Sequence, residues 1–214
     1  LSRSGFDAVL ERRAQASDGS TASFCVLYVA LDNFGLLNDA FGHESGDQML
    51  REVSRRLGEC VDSRAEGCHL AAGEFSLLVD GDLAAGSACA RRISQALAEP
   101  LTVESLRSQL TCSIGIAMYP EHGAVLKLVG NAALAMRSVK QNGGGDFCIY
   151  DHKMGMQVRE QAVMFHDLRN ALAKGEFELY FQPKVDALSL QVTAAEALLR
   201  WHHPQRGLIS PTFF

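Results

Sequence analysis

The stretch "HLAAGEFSLLV", residues 69–79, sets one acid, Glu74, between three small residues (Ala71, Ala72, Gly73) and an apolar run, Phe75 to Val79. A carboxylate at the head of a buried strand can ligate a hard cation or serve as an acid or base, so the stretch raises the question of an active site. A second acid, Asp32, closes the apolar run "ASFCVLYVAL" at residues 22–31. The six cysteines (25, 60, 68, 89, 112 and 148) contain no CxxC pair and mostly fall in apolar periodic segments. They read as reduced core residues of a cytoplasmic protein rather than metal ligands. The seven histidines form no ligand spacing.

These residues need elements to position them. The chain has 214 residues, 47% of them apolar and 21% charged, with a net charge of −5. That balance describes a globular protein and argues against a nucleic-acid binder working through a basic field. No run reaches the ~18 apolar residues that span a bilayer, and no signal peptide is visible. The absence of an initial methionine and the ending "SPTFF" suggest a piece of a longer protein.

Periodicity predicts a short helix over 4–15, a central strand over 22–31, a short helix over 34–41 and, after "GHESGD", a firm helix over 47–60 with Met49, Val53 and Leu57 on one face. A hairpin of 67–71 with 74–80 follows, then a helix over 83–98 that Pro100 stops. Strands near 101–106 and 109–118, a helix over 124–141 and a short strand at "FCIYD" complete an α/β sandwich domain ending at Asp151. A helix over 155–174 carries Val158, Ala162, Phe165, Leu168 and Leu172 on one stripe. Beyond it "FELYFQPKV" and "QVTAAEALLRW" read as two strands joined by a turn.

Taken in order, "LDNFGLLNDAFGHESGD" (31–47), "AAGEF", "CSIGIAMYPEHG" (112–123) and "VKQNGGGD" resemble a GGDEF domain of the diguanylate cyclase family. The segment "FELYFQPKVDALSLQVTAAEALLRWHHPQRGLISP" resembles the opening of an EAL domain, the cyclic di-GMP phosphodiesterase family. The resemblance implies a nucleotidyl-cyclase, ferredoxin-like α/β sandwich with a central mostly antiparallel sheet over 1–151, a linker helix over 152–174, and the first strands of a (β/α)8 barrel over 175–214.

In that family two GTP molecules, one on each subunit of a transient dimer, are joined with the help of Mg2+. The resemblance places the two metal-binding acids at Ala30 and Gly73, which have no carboxylate to offer. Ala71 and Ala72 stand where the hairpin glycines would be, and a positive-φ turn there costs an alanine about 1 kcal/mol. An expected lysine falls at Gly35 and an expected arginine at Gly144. The inhibitory RxxD motif aligns with Asp62 and Ala65, so its arginine and aspartate are both replaced. Asn38 and Asp47 match the residues that read the guanine edge, and Lys140 matches a phosphate-binding lysine. Each has a plainer reading: Asn38 in a turn, Asp47 as a helix cap, Lys140 near a helix C-terminus. Asp32 and Glu74 remain as nearby acids; Asp32 reads best as a solvated acid at a strand end, and Glu74 as structural or vestigial.

In the EAL portion Glu196 matches a ligand of the catalytic metal, which is Mg2+ in the intact parent, and Gln182 and Arg200 match positions that contact substrate. His202 and His203 are adjacent on a strand and so point to opposite faces; they are expected as surface or barrel-rim residues. The reading that follows is a catalytically degenerate GGDEF module in a cyclic di-GMP signalling protein, binding GTP as a regulatory ligand, dimerising, or acting on its own EAL domain. The alternatives are an active diguanylate cyclase with a non-standard metal site at Asp32 and Glu74, and a protein-interaction scaffold without nucleotide. An unfinished hairpin with open edges is expected to pack on the GGDEF domain or pair with another chain.

Overall fold

The computed structural model describes residues 1–17, 23–61, 66–103 and 106–211; Asp62 and Ala65, the RxxD positions, lie outside them. In chain order the elements are α1 (Arg3–Ser17), β1 (Phe24–Leu31), α2 (Phe34–Cys60), β2 (Gly67–Ala71), β3 (Glu74–Asp80), α3 (Leu83–Ala98), β4 (Leu101–Val103), β5 (Leu106–Ser108), β6 (Cys112–Tyr119), α4 (Val125–Gln141), β7 (Phe147–Ile149), α5 (His152–Ala171), β8 (Phe177–Val185), β9 (Val192–His203) and β10 (Gly207–Ile209). They divide into two compact units, Leu1–Gly155 and Met156–Phe214.

The first unit is built on a five-stranded sheet in the order β2-β3-β1-β6-β7. Only β6 and β7 run parallel; the other described pairs are antiparallel. The run "FCVLYVAL" makes β1 the central strand because both of its faces are covered, which is why it is apolar throughout instead of alternating. Its odd residues, Cys25, Leu27, Val29 and Leu31, pack with α2 and α3 through Met49, Val53, Leu57, Cys89, Ile93 and Leu97. Its even residues Phe24 and Val26 pack with α1 and α4 through Phe6, Leu10, Leu128, Ala132 and Ala135. Each large side chain so buried is worth roughly 1.5–3 kcal/mol of transfer free energy.

Helix α4 lies close on the sheet because small residues meet there: a β-carbon at Gly115 would overlap the backbone of Ala132 and Met136. Asp82 caps α3 by accepting from the Ala85 N–H at 3.0 Å. Two arginines fix α2 and α3 to each other. Arg56 of α2 donates to the carbonyls of Ala96, Glu99 and Pro100 at the end of α3, and Arg92 of α3 donates to the Cys60 carbonyl at the end of α2. Each helix supplies the cation that the other's C-terminus favours.

Several elements differ from the periodicity reading. The expected helices over 34–41 and 47–60 are a single helix, α2, broken only at Gly42, whose φ of 81° and ψ of 163° are open to glycine. Asp47 is therefore inside a helix and not its cap. The segment 101–110 holds a separate small hairpin, β4 with β5.

The second unit is the antiparallel sheet β10-β9-β8 with the body of α5. Its core is Ala171, Trp201 and Ile209, with Met164, Leu168 and Phe177 packed against them. The expected stripe of α5 is only partly right: Leu168 packs inward, whereas Phe165 and Leu172 are exposed; the side chains of Val158 and Ala162 lie outside the described ones. The true inner face is rotated to Met164, Leu168 and Ala171, because it is the position of Trp201 that selects it. Among the described residues no helix is long and apolar enough to cross a membrane.

Candidate functional site

Four segments of the first unit converge at the C-terminal end of β1: the β2–β3 turn, the start of β6, the glycine turn after α4, and the start of α2. Gly73 carries the positive φ of the hairpin turn, 75°, and its carbonyl accepts from the Leu31 N–H at 2.8 Å. Neither Ala71 nor Ala72 is in the left-handed region. The strain expected at the alanines is thus absent, since the turn moves its positive φ to the second loop residue, where glycine bears it without cost. A β-carbon at Gly73 would meet the Phe34 side chain at 3.1 Å. Ala30 is fully buried and lies opposite Glu74 on β3 and Ser113 on β6.

The two surviving acids both have partners. Asp32 accepts from the Thr111 hydroxyl at 2.8 Å, the Ser113 hydroxyl at 2.7 Å and the Gly145 N–H at 3.0 Å. It is an anchor for the glycine turn, not a solvated acid at a strand end. That turn strains any side chain at 144: Gly144 has a φ of 76°, and a β-carbon there would stand 3.2 Å from the Asp32 carboxylate. Glu74 accepts from the Tyr28 hydroxyl at 2.6 Å. Burial, and then the Glu74 carboxylate, push the Tyr28 phenol well above its ordinary range. It stays a donor. Among the described residues no three His, Cys, Asp or Glu side chains cluster; a hard cation at this end of the sheet would have the carboxylates of Asp32 and Glu74 to draw on.

Asn38 and Asp47 lie on either side of the Gly42 break. Asn38 Nδ2 is 2.8 Å from His43 Nδ1, and a side chain at Gly46 would overlap the Asn38 amide oxygen. Asp47, exposed, directly follows that contact. Lys140 is exposed in the last turn of α4. Gly35 opens onto free space, with no atom near where its β-carbon would be. His43, Tyr28, Thr111 and Ser113 were not legible as members of this site. A hydroxyl at a strand's start, as at Thr111 and Ser113, is the sort of signal that could have pointed to Asp32.

In the second unit Gln182 is directly opposite Glu196. The alternation of strands puts both on one face with Lys184 and Arg200. Lys184 Nζ is 3.2 Å from Glu196 Oε2, with both exposed, and the Arg200 guanidinium lies 5.7 Å from the centre of the Tyr180 ring. One carboxylate paired with an ammonium does not make a metal site on its own. The two histidines do point apart. His202 is exposed and bonds to Glu178, but His203 is a buried residue, not a surface or rim one. Its Nε2 lies 3.1 Å from Asp167 of α5, while its Nδ1 accepts from the Gln205 and Arg206 N–H groups. Proximity of α5, which the local sequence does not encode, buries it.

The family model for "Diguanylate cyclase, GGDEF domain" matches residues 1–146, and that for "EAL domain" matches residues 166–214. The chain is 36% identical over 210 residues to the bifunctional diguanylate cyclase/cyclic di-GMP phosphodiesterase MucR of Pseudomonas aeruginosa, covering 97% of this chain and 31% of MucR. It is also 36% identical over 191 residues to the cyclic di-GMP phosphodiesterase PdeR of Escherichia coli, covering 88% of this chain and 29% of PdeR. The chain thus spans less than a third of the length of these relatives. Among solved structures, the GGDEF domain of YfiN (TpbB) from Pseudomonas aeruginosa superposes with a TM-score of 0.67 at 26% identity, over 71% of this chain and 96% of that one.

Proposed function

Since this chain belongs to the GGDEF family and continues into the start of an EAL domain, we propose that its first unit is a regulatory module that binds a guanine nucleotide without cyclase chemistry. The observation that carries this reading is the state of the acids. Ala30 and Gly73 hold no carboxylate where the family's metal ligands align, and Asp32 and Glu74, the remaining candidates, are hydrogen-bonded to four protein donors. A metal at either acid would compete with those bonds, which weighs against the non-standard cyclase. Asn38 and Asp47 offer an amide and a carboxylate on either side of the Gly42 break in α2, groups of the kind that pair with guanine, and Lys140 supplies a cation for phosphate. The nucleotide's state would then be passed to the EAL domain of the whole protein, which we propose hydrolyses cyclic di-GMP with Glu196 at its Mg2+ and Gln182 and Arg200 at its substrate. A cytoplasmic setting, homodimerisation and the division at residues 151 and 174 belong to the same reading.

Calorimetric titration of GTP into the chain with Mg2+ present tests it. Binding that disappears in Asn38→Ala or Asp47→Ala, with no cyclic di-GMP formed on prolonged incubation, is the expected result. No heat and no displacement of a labelled guanine nucleotide would leave an interaction scaffold, and cyclic di-GMP formed by the wild-type chain would establish the cyclase.

A further inference from the structure

We propose that His43 is a positioning residue of the guanine site, holding the Asn38 amide so that its N–H side faces the base. The inference rests on the reading of Asn38 and Asp47 above and adds what sets their selectivity. Asn38 belongs to the first segment of α2, and His43 comes immediately after the Gly42 break, where the chain departs from helical geometry before the second segment begins. The Asn38 Nδ2 to His43 Nδ1 distance is 2.8 Å. An amide nitrogen has only hydrogens to give, so the imidazole Nδ1 is the acceptor and the ring proton sits on Nε2.

The other end of the amide lies against Gly46: a β-carbon placed there would overlap the Asn38 oxygen and stand 3.1 Å from the amide carbon, so glycine leaves the amide its room. With one N–H engaged by His43, the amide has its other N–H to present. Guanine offers O6 and N7 as acceptors, which suit that N–H, and its N1 and N2 hydrogens suit the carboxylate of Asp47, one residue beyond Gly46. Adenine has an amino group in place of O6 and meets a donor with a donor. An amide turned over by half a rotation would set oxygen against O6 and lose the distinction. With its ring proton on Nε2, His43 favours the orientation that reads guanine.

The test is calorimetry on the chain with GTP and ATP as probes, comparing wild type, His43→Ala and His43→Asn. His43 is exposed, so neither substitution removes core packing. In His43→Ala, GTP binding is expected to weaken about three- to ten-fold, the worth of one hydrogen bond, while ATP binding does not change. In His43→Asn the amide oxygen stands near the former Nδ1, and the GTP preference returns. An unchanged GTP to ATP ratio in His43→Ala, or an asparagine variant no better than alanine, overturns the proposal. A wild-type chain that binds no GTP fails at an earlier point: it overturns the guanine-site reading itself, and this inference with it.

Discussion

Replacing Asp32 with alanine strands the Thr111 and Ser113 hydroxyls and the Gly145 N–H. It is expected to cost about 2 kcal/mol, since bonds to a charged acceptor are the stronger kind, and to lower the urea midpoint of the first unit. His122 gives the molecule a pH dependence. Its ring is buried, and its Nδ1 accepts from the Met118 N–H at 2.9 Å. Burial holds its pKa below the ordinary 6.5, and the neighbouring His152 adds to this against the opposing pull of Glu121 and Asp151. The unfolded chain takes up this proton before the folded one does. The contribution to stability is therefore complete above 6.5 and is lost as pH falls through the lowered value. Melting temperature should fall as pH is lowered from above 6.5 through the depressed folded-state value, and the fall should shrink in His122→Asn.

At the scale of elements, the exchange of arginines between α2 and α3 makes a sharper prediction than any single core residue. Arg56→Ala leaves three carbonyls at the end of α3 without their donor, and about 3 kcal/mol is expected, measured by chemical denaturation. Gly115→Ala should be at least as damaging, because the obstacle is the α4 backbone and not a side chain that can turn away. The helices and the β2–β3 hairpin were largely legible: the reading of 83–98 coincides with α3, since a clean apolar stripe and Pro100 agree. Elements whose form is decided by contacts distant in sequence were not. The polar stretch "GHESGD" looks like a loop, yet all but Gly42 is helical, and the register of α5 was off because nothing in its own residues announces Trp201. At the site the sequence shows which side chains are present, but not that Tyr28, Thr111 and Ser113 have engaged the remaining acids.

The whole molecule offers its own reporter. Trp201 is the only tryptophan and is fully buried in the second unit, whose core is small beside the two that flank the five-stranded sheet. So few buried side chains leave that unit marginal. Tryptophan fluorescence should thus change at lower denaturant than far-ultraviolet ellipticity, which α1 to α4 dominate; coincident transitions would show the two units to unfold together. In the β2–β3 hairpin, with alanines at 71 and 72, the positive φ rests on Gly73. Any side chain placed there would meet both a left-handed backbone and the Phe34 ring, at 3.1 Å from its β-carbon. Position 73 is thus held to glycine twice over, by its own backbone and by the first residue of α2.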